Sequence, residues 1–250
     1  MRYVAVGDSF TEGLGDPRPD GTDRGWADRV AEGLATVLGE PILYANMAVR
    51  GRKLRPIMTD QIDAVLALDP LPTMITINGG GNDMLRATMD MRPAIELTEQ
   101  ALVRCLDAGI DVVMLSGPDP GGGLPFGSVM TKRGVALTAA VQEMVARHGV
   151  RLIDNFSDME TRKPDYWSED RLHMNSFGHQ RVAWRVLDGL GYTPPFPLPA
   201  PDPVARRTLG GELAYYRDHV IPWMQRHFQG RSSGDGRNGK HTQWVEILPQ

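Results

Sequence analysis

The sequence predicts an α/β protein with a five-stranded parallel sheet covered by helices. Two observations carry this. Short apolar runs alternate with longer amphipathic ones over residues 1–190, the pattern of strands joined by crossover helices. Gly39, Gly109 and Gly149 each close a helical pattern just before the next apolar run, where a left-handed cap stops a helix. At 250 residues the chain suits one such domain with an appendage.

The elements follow in order. A strand at 3–6 stops at Gly7-Asp8-Ser9, and a helical pattern at 26–38 leads to a strand at 42–45. Helices at 56–68, 93–108 and 129–148 alternate with strands at 73–77, 112–115 and 151–153, and a fifth helix is expected at 176–187. These fill a domain over residues 1–191. Residues 192–250 read as an appendage that begins with a Pro-rich, extended connector at 193–203. Leu209, Leu213, Tyr216, Val220, Trp223 and Met224 recur at helical spacing in a further helix at 204–228, which Pro222 should kink or interrupt. Residues 230–239 are polar and Gly/Ser-rich, which predicts a mobile tail before a short apolar end at 244–248. The C-terminal helix is expected to pack on the domain, and a lid or a homo-oligomer contact is the alternative.

Composition narrows the partners. The net charge is −4 with both signs interspersed, which argues against a nucleic-acid face or a polybasic membrane contact and favours a small-molecule substrate. The first apolar stretch breaks at Gly7-Asp8, too early for a secretory leader, and no run approaches the roughly 20 apolar residues of a membrane span. The expectation is a cytoplasmic protein without stable membrane insertion. Cys105 is the single cysteine, so no intrachain disulfide forms; its spacing with Ala101 and Leu102 predicts a packed helical thiol.

Loops that follow the strands carry the unusual residues, and in an open parallel sheet such loops gather at the carboxyl edge where ligands bind. Ser9 ends the first strand abruptly and is thereby offered to a cleft. A serine hydroxyl is a weak nucleophile at its own pKa and needs a base, a group to orient the base and an oxyanion site. Asp170 and His173 in Trp167-Ser168-Glu169-Asp170-Arg171-Leu172-His173 are three residues apart, which lets the carboxylate reach Nδ1 and leaves Nε2 for Ser9. After the third strand, Asn78-Gly79-Gly80-Gly81-Asn82-Asp83 brings close-approaching backbone and the non-titrating Asn82 amide, and Gly51 in the loop after the second strand can add a backbone N–H. The prolines and glycines of 116–127 are expected to wall one side of the cleft.

Gly7-Asp8-Ser9, Gly51, Gly80-Gly81-Asn82-Asp83 and Asp170-Arg171-Leu172-His173 resemble, in order and spacing, the four sequence blocks of the SGNH (GDSL-type) hydrolases over about residues 1–190. The resemblance implies a flavodoxin-like three-layer α/β/α fold. It also implies Ser9 as nucleophile, Asp170 and His173 as its triad partners, and an oxyanion hole from the Ser9 and Gly51 N–H groups and the Asn82 side chain. It further implies ester hydrolysis without a metal or cofactor. No His-Glu-x-x-His, paired cysteines or acidic calcium loop suggests a metal. Asp8 and Asp83 are expected to hold their loops through backbone amides, and His179 to lie on a helix surface. Arg50, Arg52 and Arg86 flank the two oxyanion loops and are candidates for binding an anionic part of the substrate.

The function expected is therefore a serine hydrolase that cleaves carboxylic esters of small or medium acyl groups through an acyl-enzyme. Acyl transfer and thioester cleavage use the same residues. A non-catalytic carbohydrate- or anion-binding protein is the contrasting reading; it has no need of Ser9, Asp170 and His173 together, and the loop at 78–83 lacks both phosphate-loop and dinucleotide spacing.

Overall fold

A computed structural model of the chain describes residues 1–85, 90–125, 127–203, 209–222 and 232–250. In chain order the elements begin with β1 (Arg2–Val6), α1 (Ser9–Glu12), α2 (Gly25–Leu38) and β2 (Ile42–Asn46). A continuous helical stretch follows: α3 (Leu54–Pro56), a π-helical turn at Ile57–Gln61 and α4 (Ile62–Leu66). Next come β3 (Met74–Ile77), α5 (Gly81–Met84), α6 (Met91–Asp107), β4 (Asp111–Ser116), α7 (Gly127–His148) and β5 (Arg151–Asp154). The chain closes with α8 (Ser176–Gly189), α9 (Leu209–Tyr215) and β6 (His241–Ile247).

The strands form one sheet in the order β5-β4-β3-β1-β2-β6. The first five are parallel, as predicted, and each carries side chains to both faces. Tyr3 and Ala5 of β1 pack with Trp26, Val30 and Leu34 of α2 and Val182 and Val186 of α8. Val4 and Val6 face the opposite layer with Ile57, Ile62, Leu102 and Met144. This period-two alternation, covered on both sides, fixes the three-layer architecture. Gly39, Gly109 and Gly149 have φ of +68°, +76° and +64° and end their helices as expected.

The sheet differs from the expectation at its edge. Residues 241–247 form β6, a sixth strand antiparallel to β2 with Ile42 opposite Ile247 and Tyr44 opposite Val245. Residues 241–247 are thus part of the same sheet as the strands of residues 1–191. Lys240 enters beside it and donates to Asp28 Oδ2 at 2.8 Å, while the Tyr44 hydroxyl donates to Asp28 Oδ1 at 2.7 Å. A buried carboxylate satisfied from both sides ties the tail to α2 and β2.

Of the helix expected at 204–228, residues 209–222 are described; Trp223 and Met224 lie outside the described residues. A π-helical turn at Tyr216–Val220, with the Ile221 N–H donating to the Tyr216 carbonyl, directly precedes Pro222. Proline lacks an N–H and its ring crowds the carbonyl four residues back, and the widened turn lies just before it.

Candidate active site

β1 is the strand from which the chain departs first to β2 on one side and later to β3 on the other. Strand order reverses between β1 and β3, and in doubly wound sheets the crevice at that point is the ligand site. Ser9 leaves the carboxyl end of β1 there as the first residue of α1. Asp8 caps this short helix by accepting the Phe10 N–H at 3.1 Å, and Gly13 ends it in the left-handed region at φ +99°. The close contact of Gly13 with Gly25, where a Cβ would lie 2.7 Å from backbone, turns the chain sharply into α2. Ser9 is thus held at a corner, half-buried and facing a cavity.

The Ser9 Oγ lies 3.1 Å from His173 Nε2, and His173 Nδ1 lies 2.6 Å from Asp170 Oδ2. The segment carrying both partners is a closed turn. Trp167 bridges Met174, the Ser168 N–H donates to the His173 carbonyl at 2.8 Å, and Asp170 Oδ1 accepts the backbone N–H groups of Leu172 and His173, both at 3.0 Å. Ser168 Oγ is 2.7 Å from Asp170 Oδ1. Burial alone would raise the Asp170 carboxyl, but the hydrogen bond and charge of His173, with the backbone donors, outweigh it and hold it well below the usual carboxylate range. An ionised Asp170 keeps the proton on Nδ1, so Nε2 can accept the proton of Ser9.

Asn82 opens the second edge of the cavity. Its amide donates to Asp8 Oδ2 at 3.1 Å and to the Arg52 carbonyl at 3.0 Å, which joins the loops after β1, β2 and β3. Both of its hydrogens are engaged in this structure. Burial pushes the Asp8 carboxyl up. Asp83, like Asp8, anchors a backbone amide as expected: Oδ2 accepts the Leu54 N–H at 2.7 Å. Gly51 has φ +74° and packs against Ser232, where a Cβ would lie 2.1 Å from the hydroxyl. It does not line the cavity that holds Ser9 and Asn82.

The three arginines fare differently. Arg50 is occupied: Nε donates to Glu12 Oε1 at 2.8 Å and a terminal nitrogen to Asp23 Oδ2 at 2.7 Å, with its backbone N–H on Glu12 as well. Its expected role in substrate binding gives way to a structural one, because two carboxylates already satisfy the guanidinium. Arg52 is half-buried beside Asn82 and contributes its carbonyl. Arg86 lies outside the described residues. Among the described residues, no three His, Cys, Asp or Glu side chains group as a metal ion requires.

Two features were not foreseen. His179 is fully buried rather than on a helix surface; Nδ1 accepts the Trp26 N–H at 3.1 Å and Nε2 donates to the Leu14 carbonyl at 3.2 Å, pinning the two ends of the corner that carries Ser9. The spacing of 179, 182, 183, 186 and 187 placed it on the buried face of α8 and was the signal for this. The second is Arg171. It is the one non-glycine residue with positive φ among those described, at 59°, and it stands between Asp170 and His173. Its guanidinium pairs with both Glu212 oxygens at 3.0 and 2.7 Å and lies 3.7 Å from the centre of the Tyr215 ring. α9 therefore grips the turn that presents His173, and no local sequence signal foretells a partner 41 residues away.

A doubly wound sheet with a serine, histidine and aspartate in hydrogen-bond sequence at its switch point defines a class of α/β proteins equipped for nucleophilic chemistry. Residues 5–181 match the GDSL-like Lipase/Acylhydrolase family, and the chain belongs to it. Among curated proteins none matches the chain. Solved structures show the same fold at low identity. The lipase Lip_vut3 from a goat rumen metagenome is 19% identical over 76% of this chain and 97% of that one, with a TM-score of 0.60. The lipase/acylhydrolase from Enterococcus faecalis is 21% identical over 76% and 95%, also at 0.60. A catalytic mutant of Axe2, an acetylxylan esterase from Geobacillus stearothermophilus, is 17% identical over 76% and 94%, at 0.64. No helix among the described residues is long and apolar enough to cross a membrane.

Proposed function

We propose that the protein is a serine esterase that cleaves carboxylic esters of small or medium acyl groups through an acyl-enzyme, with no metal in the reaction. The observation that carries this reading is the chain of contacts from Ser9 Oγ to His173 Nε2 and from Nδ1 to Asp170, at 3.1 and 2.6 Å. Ser9 attacks the ester carbonyl as its proton passes to Nε2. The imidazolium, held by Asp170, returns that proton to the alkoxide as the acyl–oxygen bond breaks. Water then repeats the sequence: its proton goes to Nε2, its oxygen bonds the acyl carbon, and Ser9 leaves with the proton. The Ser9 N–H and the Asn82 amide serve the oxyanion. Family membership, and structural neighbours that are a lipase and an acetylxylan esterase, support the same chemistry. The test is hydrolysis of 4-nitrophenyl butyrate by the purified protein with EDTA present. Turnover that disappears in Ser9→Ala, with the fold retained by circular dichroism, is expected. Turnover that survives the substitution overturns the proposal.

A further inference from the structure

Two cavities meet at His173. The first, about 140 Å³, contains Ser9 and Asn82 and runs beneath α6 and α7 over the ends of β3 and β4, with Met58, Met114, Leu137, Val141 and Phe156 on its walls. The second, about 390 Å³, lies between α7 and the C-terminal helical segment; Leu124, Val129, Tyr215, Val220 and Pro222 wall it. Asp170 lines only the second, Ser9 and Asn82 line only the first, and His173 lines both.

The chemistry of ester cleavage assigns them. The acyl carbon must bond to Ser9 Oγ with its oxygen toward the Ser9 N–H and Asn82, so the acyl chain extends into the first cavity. The leaving oxygen must take its proton from His173 Nε2, so the alcohol extends on the His173 side, into the second. A dry apolar cavity of roughly 150 Å³ holds a molecule the size of benzene, about six heavy atoms. The first cavity is of that size and takes an alkyl chain of a butyryl to hexanoyl group. The second takes a larger group; most of its wall is apolar, with Arg133, Asp218 and His219 among the side chains that line it.

Resting on the esterase reading above, we propose that the substrate class is a short-chain ester, with four to six acyl carbons, of a bulky apolar alcohol, the alcohol being roofed by the C-terminal helical segment. This differs from both an acetylated sugar and a long-chain glyceride. The roof belongs to the chain beyond residue 181, where the family match ends.

The test is kcat/KM over two series: 4-nitrophenyl esters from acetate to decanoate, and butyrates of methanol, hexanol and 1-naphthylmethanol (the naphthyl ester), whose leaving alcohols are all alkanols. Each methylene buried in the first cavity should raise kcat/KM about fourfold. A maximum at butyrate or hexanoate is expected, on the order of tenfold or more above both acetate and decanoate. The naphthyl and hexyl butyrates should exceed the methyl ester. Val141→Phe, which adds bulk to the wall of the first cavity, should move the optimum to acetate while acetate turnover persists. Val129→Trp, in the wall of the second, should lower the naphthyl-to-methyl ratio and leave the acyl profile alone. A flat acyl profile, an optimum at acetate in the unaltered protein, or equal turnover of methyl and naphthyl butyrate overturns the cavity assignment. Failure to cleave any ester in either series overturns the esterase reading itself and this inference with it.

Discussion

Replacing Asp170 by asparagine removes a charge while keeping the shape, and the structure dictates which way the new amide turns. Oδ1 accepts two backbone N–H groups, from Leu172 and His173, at 3.0 Å each. The asparagine carbonyl must stay at that position, since an NH2 there would face two donors and forfeit two hydrogen bonds of about 1 kcal/mol each. The NH2 group then falls where Oδ2 was, 2.6 Å from His173 Nδ1. Nδ1 becomes the acceptor, the ring proton moves to Nε2, and Nε2 faces Ser9 with a hydrogen where it needs a lone pair. Loss of the correct tautomer and of the counter-charge costs about 10⁴-fold in kcat in a serine triad, or about 5.4 kcal/mol in the barrier. The assay is steady-state hydrolysis of 4-nitrophenyl butyrate by Asp170→Asn and unaltered protein at equal concentration, with circular dichroism and thermal melting to show that both fold. A fall in kcat of less than tenfold would refute the reasoning, because the tautomer would then not be set by Asp170.

Other predictions concern the oxyanion side and the scaffold. Asn82→Ala should lower kcat by about 100- to 1000-fold with little change in KM, measured in the same assay; a change confined to KM would assign Asn82 to ground-state binding instead. His179 is held by burial at a pKa of about 4, against an ordinary 6.5. Between those values the unfolded chain binds a proton that the folded one refuses, so stability is complete above pH 6.5 and declines as pH falls, by roughly 3 kcal/mol at pH 4. Urea midpoints at pH 7 and pH 5 should show this loss in the unaltered protein and a smaller one in His179→Gln; equal losses would show that His179 is not its source.

How far the sequence was legible depended on whether each feature had a local cause. The five parallel strands were readable because each is a short apolar run bounded by a helix stop, and those stops are glycines at positive φ. Asp170 and His173 were readable because three residues of one turn bring their side chains together. β6 was not, because an edge strand with a polar outward face follows a Gly/Ser-rich stretch, and what anchors it, Lys240 on Asp28, joins residues 212 apart. The roles of Arg50 and Arg171 were hidden for the same reason. Their carboxylate partners Glu12, Asp23 and Glu212 are remote in sequence, and nothing local separates a guanidinium committed to them from one facing a cleft. His179 is the exception, since its helical register with Val182, Ala183 and Val186 already placed it inside.

The central claim is that Ser9 is the activated nucleophile, and its most direct test is covalent. The protein treated with a fluorophosphonate should gain one adduct, mapped by peptide mass spectrometry to Ser9, absent in Ser9→Ala and formed far more slowly in His173→Ala. An adduct on another residue, or none on a folded protein, would contradict the account.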